Sequence, residues 1–311
     1  WRFKFPSIAL FAVVGLAIGP IFQFFDPSQE FGVLVEAIIK LALAIILFEG
    51  GLNLKFHELT HTGKAVKHLI LLGLPLSWFF GFLVCYWVAN LSITLSLLLS
   101  SILVVTGPTV ILPLIRQTKL KTRTSSLLKW EGIINDPIGI LLAVLVFQFV
   151  VASDFIALDK STILYLLGSI ASSILIGFGG GHFLKFVFEK GHVPEFLKLP
   201  MVLATVLSLY ALSNIFQEEI GLLTVTVMGI TMGNIGMLII YELRKFKENI
   251  TAILVPVVFI ILTADLNLKD LMGLNWRVCL FLFCFLFLVR PAAVWLSTIG
   301  TGLSWKERVF V

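Results

Sequence analysis

Charged residues are scarce in this chain of 311 residues. Asp, Glu, Lys and Arg make up 13% of it, whereas about 25% is usual in soluble domains. Hydrophobic residues account for 59%, and the mean hydropathy is +1.04. This composition excludes an ordinary soluble protein. It predicts an all-α polytopic membrane protein with a single transmembrane domain, residues 1–311.

Cysteines and phosphate-binding motifs are also scarce or missing. The three cysteines, Cys85, Cys279 and Cys284, lie in apolar runs, where they act as small hydrophobic residues and form no disulfide framework. No G-x-x-x-x-G-K-[ST] string occurs, so ATP is not the expected energy source. The chain begins at Trp1 without a methionine and ends just after a basic loop, so we expect truncation at both ends.

Long apolar runs are abundant. About 20 residues suffice for a helix to cross a ~30 Å hydrocarbon core, and the pattern predicts ten such helices. They cover roughly residues 6–25, 33–54, 68–89, 92–115, 127–150, 161–188, 198–216, 219–240, 250–268 and 275–303.

Lys and Arg are distributed unevenly between the loops. With a cytoplasmic N-terminus, 18 of the 23 basic residues fall in inner loops, and the outer loops hold only Lys160, Lys269 and Arg277. Because this bias sets orientation, we expect a multi-pass protein of the cell membrane with both ends of the chain cytoplasmic. The same distribution accounts for the net charge of +5 without a nucleic-acid partner.

One predicted span, 92–115, is interrupted by Thr106-Gly107-Pro108-Thr109. Pro108 has no N–H for the preceding turn, and glycine weakens the helix further. Backbone groups freed at membrane depth need protein, water or an ion as partners, and unwound helices of this kind build ion sites in transporters. A plain proline kink is the alternative.

Acidic and amide side chains interrupt the next span, 127–150. Asp136 lies about nine residues from its cytoplasmic end, ~14 Å along the helix and close to the bilayer midplane. Glu131 and Asn135 share a face, and Asp136 is turned about 100° away. A carboxylate at this depth costs a few kcal/mol of insertion free energy. We therefore expect Asp136 to handle an ion or a proton.

A basic residue, Arg290, lies in the middle of span 275–303. A guanidinium there must face water or pair with an acid, and the available acids are Glu131, Glu49 and Asp136. Glu131 is the preferred partner, which makes that pair structural and leaves Asp136 free. Glu49 either lines an inner vestibule or reaches the membrane interface.

A different function is suggested by His57-Glu58-Leu59-Thr60-His61. In H-E-x-x-H, two histidines one turn apart bind zinc and the glutamate acts as a base. The string lies in a basic loop, and the sequence offers no convincing third ligand. Solvated loop residues are therefore the preferred interpretation of His57, Glu58 and His61, with an intramembrane zinc metalloprotease as the alternative.

Together these strings resemble the monovalent cation/proton antiporters, in particular the bacterial and archaeal sodium/proton antiporters related to eukaryotic sodium/proton exchangers. The similarity follows the family's order over nearly the whole chain. It is carried by Pro6-Ser7 with Gly15 and Gly19-Pro20, by Phe48-Glu49-Gly50-Gly51-Leu52, by Thr106-Gly107-Pro108-Thr109, by Glu131 with Asn135-Asp136-Pro137, and by Arg290.

The resemblance implies a homodimer with inverted repeats and crossed, broken helices. Residues 68–150 would form the first core repeat and 275–311 the start of the second, with the remainder as scaffold and dimer contact. Asp136, Asn135 and Thr106 would bind the cation or proton, and the Asn-Asp pair implies electroneutral exchange. Many family members have Asp at the position of Gly107 and Ser at that of Gly132, so the chain lacks two expected ligands.

The predicted function is secondary antiport of a monovalent cation, Na⁺ first and Li⁺ or K⁺ as alternatives, against H⁺. Either ion neutralises the Asp136 carboxylate, and the bare anion crosses reluctantly because its burial is costly. The chain is expected to have no enzymatic activity and no cofactor, with the lipid bilayer and a second copy as its partners. A cation or proton channel with the same polar helix is a further alternative.

Overall fold

Helices make up the fold. A computed structural model describes residues 7–104, 111, 115, 120, 122–151, 160–191, 193–217, 219–235, 240–267 and 276–310, and these residues form no strand. The helices are α1 (Ser7–Leu16), α2 (Pro27–Phe31), α3 (Leu34–Leu52), α4 (Leu59–His68), α5 (Leu74–Trp87), α6 (Ile93–Leu103), α7 (Thr122–Val151), α8 (Lys160–Glu189), α9 (Glu195–Phe216), α10 (Ile220–Asn234), α11 (Ile240–Ala264), α12 (Trp276–Cys284), α13 (Arg290–Ser297) and α14 (Trp305–Phe310).

Three π turns extend or join these helices. Ala17–Ile21 continues α1, Leu69–Gly73 joins α4 to α5, and Phe285–Val289 joins α12 to α13. Each of the ten predicted spans contains helix, which confirms the all-helical polytopic fold. In the described residues, five helical stretches are long and apolar enough to cross a membrane: Thr62–Trp87, Thr122–Phe147, Leu167–Glu189, Glu195–Phe216 and Trp276–Ser297.

Several helices begin earlier than the apolar pattern predicts. Helix α11 begins at Ile240 and α7 at Thr122, so basic residues expected in inner loops, such as Arg244 and Lys129, lie in the first turns of helices. Lys, Arg and Glu are good helix formers in water. A helix can therefore continue past the apolar part that marks the membrane.

Two compact units divide the described chain. The first contains α1, α2, α3, α9, α10, α11 and the part of α8 from Ser173 onward. Its core includes Ile8, Ile46 and Val255, all buried. Helix α3 packs against α10, and α1 packs against α11.

The second unit carries the polar helix. It contains α4, α5, α6, α7, α12, α13, α14 and the part of α8 up to Ser172. Helix α7 packs against α6 and α4, and α13 packs against the π turn Leu69–Gly73. Phe281, Phe285, Val289 and Cys85 form its apolar cluster. The assignment of 68–150 and 275–311 to core repeats stays a prediction.

Candidate functional site

Three polar side chains near the middle of α7, in the second unit, are buried. Glu131 is 1% exposed, Asn135 2% and Asp136 8%. One helical turn separates Glu131 from Asn135, so both lie on one face, and Asp136 follows at the next position. Trp130 and Ile133 are buried around them. Helix α7 therefore holds two carboxyl groups and an amide away from water.

The Glu131 carboxylate is the centre of a three-residue contact. Arg290 Nη2 donates to Glu131 Oε1 at 2.9 Å, and Asn135 Nδ2 donates to the same oxygen at 3.2 Å. Arg290 is the first residue of α13, directly after a π turn. The guanidinium and the amide thus satisfy one oxygen of a buried anion, as burial of a charge requires.

Two buried oxygen atoms remain at this contact. Glu131 Oε2 and Asn135 Oδ1 have no hydrogen-bond partner among the described residues. Because Asn135 Nδ2 is directed to Glu131, the amide acts on the ion pair through its nitrogen and keeps its oxygen as an acceptor. The sequence places Glu131 and Asn135 four residues apart, on one face of the helix. This spacing is the local signal that could have predicted their hydrogen bond.

Asp136 has a different environment. Its carboxylate makes no hydrogen bond or ion pair with the described part of the chain, and Arg290 pairs with Glu131. Pro137, the next residue, lies inside α7 and leaves the Ile133 carbonyl without its helical N–H donor. A buried carboxylate and a freed carbonyl are hard oxygen groups of the kind that bind hard cations.

The unwound segment predicted beside this carboxylate lies outside the described residues. Thr106, Gly107, Pro108 and Thr109 all fall there. The part of Thr106 in cation binding and the unwinding at Gly107-Pro108-Thr109 stay predictions.

Glu49 belongs to the first unit. Its side chain is 2% exposed in the last turns of α3. Its role, in an inner vestibule or at the membrane interface, stays a prediction. Near the start of α3, Lys40 pairs with Glu36 at 2.7 Å and also with Glu219, which precedes α10, at 2.7 Å. The sequence indicates the first of these contacts through its four-residue spacing and contains no signal for the second.

The H-E-x-x-H string has a different structure from the solvated loop expected for it. Phe56–Glu58 is a 3₁₀ turn and α4 begins at Leu59, so His57 and His61 do not share one regular α-helix. Glu58 Oε1 lies 2.7 Å from Lys129 Nζ, and Ser126 Oγ donates to Glu58 Oε2 at 3.0 Å. Neither contact is visible in the sequence, because about 70 residues separate the partners.

The side chain of His61 lies outside the described residues, so the zinc alternative stays a prediction. No group of three or more His, Cys, Asp or Glu side chains that could hold a metal ion occurs within the described residues. The zinc alternative also needs Glu58 as a base, but both of its carboxylate oxygens are bonded to α7.

Comparison with known sequences supports the same family throughout. The profile described as "sodium/hydrogen exchanger, transmembrane" matches residues 1–311. The K⁺/H⁺ antiporter NhaP of Alkalimonas amylolytica is 25% identical over 100% of this chain and 54% of its own length. The Na⁺/H⁺ antiporter ApNhaP of Aphanothece halophytica is 24% identical over 98% of this chain and 59% of its own length. The chain spans about half the length of these curated relatives.

Comparison with solved structures supports the fold. The sodium proton antiporter MjNhaP1 of Methanocaldococcus jannaschii superposes with a TM-score of 0.80 at 22% identity, over 99% of this chain and 76% of the other. An electron-microscopy structure of the same protein gives a TM-score of 0.84 at 23% identity, over 99% of this chain and 75% of the other. The resemblance inferred from the motifs is confirmed, and the chain belongs to the transmembrane sodium/hydrogen exchanger family.

Proposed function

We propose that this chain is the membrane domain of a secondary antiporter that exchanges a monovalent cation for H⁺ at Asp136. The observation that carries the proposal is the contrast between two buried acids on one helix. Glu131 is paired with Arg290, whereas Asp136 has no partner among the described residues. An intramembrane carboxylate without a cationic partner has little structural use and marks an ion or proton pathway.

Exchange follows from competition at one carboxylate. Burial of the bare anion is costly, and either a proton or a cation removes that cost by neutralising it. The carrier therefore changes the side from which it is accessible with one ion or the other bound, and the empty form changes slowly. This barrier couples the cation flux to the proton flux.

The charge balance on α7 supports one-for-one exchange. Arg290 compensates Glu131, and Asn135 is neutral, so α7 has a single uncompensated negative charge at this depth. One H⁺ or one monovalent cation cancels it. Electroneutral exchange is therefore part of the proposal.

The proposed ligands are oxygen atoms. Asp136 supplies a carboxylate, Asn135 an amide oxygen, and Thr106 a hydroxyl or carbonyl oxygen, with water completing the shell. Similar relatives are named as K⁺/H⁺ and as Na⁺/H⁺ antiporters. Na⁺ is the first ion proposed, and Li⁺ and K⁺ are tested beside it.

The cellular setting is proposed with the function. We place the chain in the cell membrane with both ends cytoplasmic, as a homodimer in the bilayer. The excess of Lys and Arg in the inner loops supports this orientation.

Proteoliposomes test the proposal directly. With a pH-sensitive dye inside, addition of Na⁺, Li⁺ or K⁺ should drive protons out of vesicles that contain the wild type, with a rate that saturates in the cation. Asp136→Asn should abolish this flux while the protein still folds and inserts. Asp265→Asn is the matched control and should keep the flux. It makes the same chemical change at an aspartate that is exposed and accepts a hydrogen bond from Ser28.

The outcomes separate the alternatives. Full exchange by Asp136→Asn would refute the assignment. Flux that does not saturate and needs no counter-ion would indicate a channel, and zinc in stoichiometric amount in the purified protein would favour the metalloprotease.

A further inference from the structure

The inner end of α7 is held by a side chain from outside the helix. Glu58 accepts from Lys129 through Oε1 at 2.7 Å and from Ser126 through Oε2 at 3.0 Å. Both oxygens of one carboxylate thus bind residues one turn apart on α7. Ser126 is buried, and the Glu58 and Lys129 side chains are each 19% exposed. We call this contact of Glu58 with Ser126 and Lys129 the Glu58 clamp.

Further contacts fix the position of the clamp. Thr62 Oγ1 donates to the Glu58 carbonyl at 2.8 Å, which ties the turn to α4. The Phe56 ring stacks on Trp130 with centroids 6.0 Å apart. Trp130 is buried and directly precedes Glu131. The segment Phe56–Glu58 therefore holds α7 at three neighbouring residues, directly before its buried polar group.

Helix α7 connects the clamp to the proposed ion site. It runs without interruption from Thr122 to Val151, and ten residues from Ser126 to Asp136 correspond to ~15 Å along the axis. A packed helix moves largely as a unit. Rotation or sliding of its first turns therefore moves Glu131 against Arg290 and reorients Asp136. Displacements of about 1 Å are enough to impair a site that depends on geometry.

We infer that Glu58 is a positioning residue, which acts through Lys129 and Ser126 to hold α7 in the register that gives Asp136 its cation affinity. The inference rests on the proposed exchange function. It also gives the glutamate of the H-E-x-x-H string a role that needs no metal. Glu58 itself touches no transported ion.

The test compares transport kinetics of clamp variants in proteoliposomes. Glu58→Gln and Lys129→Gln each remove one partner of the ion pair, and both should raise the KM for the cation roughly three- to tenfold, a range typical of coupling between contacting residues. The maximal rate should change less than about twofold, because Asp136 itself is intact. The double variant Glu58→Gln/Lys129→Gln should raise KM no further than the larger single effect.

Glu189→Gln is the matched control. It makes the same chemical change in an ion pair with Lys185 at 3.7 Å. This pair belongs to the first unit, whereas α7 belongs to the second. Its KM should equal that of the wild type. An unchanged KM in Glu58→Gln would overturn the inference, and so would KM shifts of opposite sign in the two single variants, which would indicate the charge of Lys129 alone.

Hydrogen exchange at the amides of residues 126–136 separates this inference from the proposed function. Glu58→Gln should speed exchange there relative to Glu189→Gln, whether or not the protein transports. If the wild type shows no cation-driven proton flux, the proposed function fails, and the clamp is then judged by these amides alone. Unchanged hydrogen-exchange rates at these amides in Glu58→Gln would refute the positioning role of Glu58.

Discussion

Glu131 and Asp136 lie on one helix, ~7.5 Å apart along its axis, and their surroundings differ. Two donors, Arg290 and Asn135, converge on Glu131 Oε1, which compensates a charge that burial makes costly. No described donor reaches Asp136. A carboxylate that is permanently paired cannot release its partner in each transport cycle, whereas an unpaired one can exchange ions.

Arg290→Ala tests the structural role of the pair. The variant leaves Glu131, 1% exposed, without its cation, and breaking a buried pair in this way costs about 3–5 kcal/mol. We expect a lower melting temperature in detergent and a lower folded yield. Arg290→Lys keeps the charge and should lose less stability. If Arg290→Ala kept its yield and melting temperature but lost transport, the pair would belong to the transport mechanism instead.

The sequence predicts which side chains are charged or polar at this site better than it predicts which of them are in contact. An intramembrane arginine needs an acid or water. This requirement leaves Glu131, Glu49 and Asp136 as candidates, and the preferred one, Glu131, is the acid that Arg290 contacts. The four-residue spacing of Glu131 and Asn135 is a local signal of the same kind. The bond from Glu58 to Lys129 spans 71 residues, and no local pattern indicates which helix a loop residue will meet.

Among the helical elements, the π turns show how proline acts in this chain. Pro75 and Pro291 follow the π turns Leu69–Gly73 and Phe285–Val289, each at the start of the next α-helix. Proline cannot donate to the carbonyl four residues earlier, and an i→i+5 bond offers that carbonyl another donor. The second of these turns directly precedes Arg290.

The positions of these π turns are not predictable from proline alone. Pro137, Pro200 and Pro256 also lie inside helices, and no π turn accompanies them in the described chain. The apolar pattern therefore gives the approximate places of the apolar helices, and each of the ten predicted spans contains helix. We expect packing against neighbouring helices to determine where a π turn forms.

The contact of α3 with α10 depends on glycine. A Cβ atom at Gly229 would lie 2.3 Å from the Phe48 carbonyl oxygen, and one at Gly51 would lie 2.5 Å from the Thr226 carbonyl oxygen. Both neighbours are backbone atoms, which cannot turn away as a side chain can. Small residues on both sides let the two backbones approach each other, as is common between membrane helices.

Gly229→Ala should therefore separate α3 from α10 and lower the melting temperature. Overpacking of this kind typically costs about 1–3 kcal/mol. Gly179→Ala is the matched control, because a Cβ there meets nothing within 4 Å. In α8 that change should be neutral or slightly stabilising, since alanine is the better helix former. Equal melting temperatures for the two variants would contradict the close contact.

At the scale of the whole molecule, the Lys and Arg distribution is the feature that predicts orientation. Lys and Arg cluster in alternate loops, and an even number of spans returns the end of the chain to the starting side. The helical boundaries place some of these basic residues in the first turns of α7 and α11. Since the positive-inside bias counts residues near the membrane ends of a span as well as in loops, the predicted orientation is unaffected.

Labelling of single cysteines on intact cells checks this orientation. Glu30 and Lys306 are exposed residues outside the apolar helices, on the predicted outer and inner sides respectively. In a background with Cys85, Cys279 and Cys284 replaced by alanine, Glu30→Cys should react with a membrane-impermeant maleimide from outside. Lys306→Cys should react only after permeabilisation. Labelling of both positions from the same side would mean an even number of spans between them instead of the predicted nine. Exchanged sides would place the basic loops outside and overturn the predicted orientation.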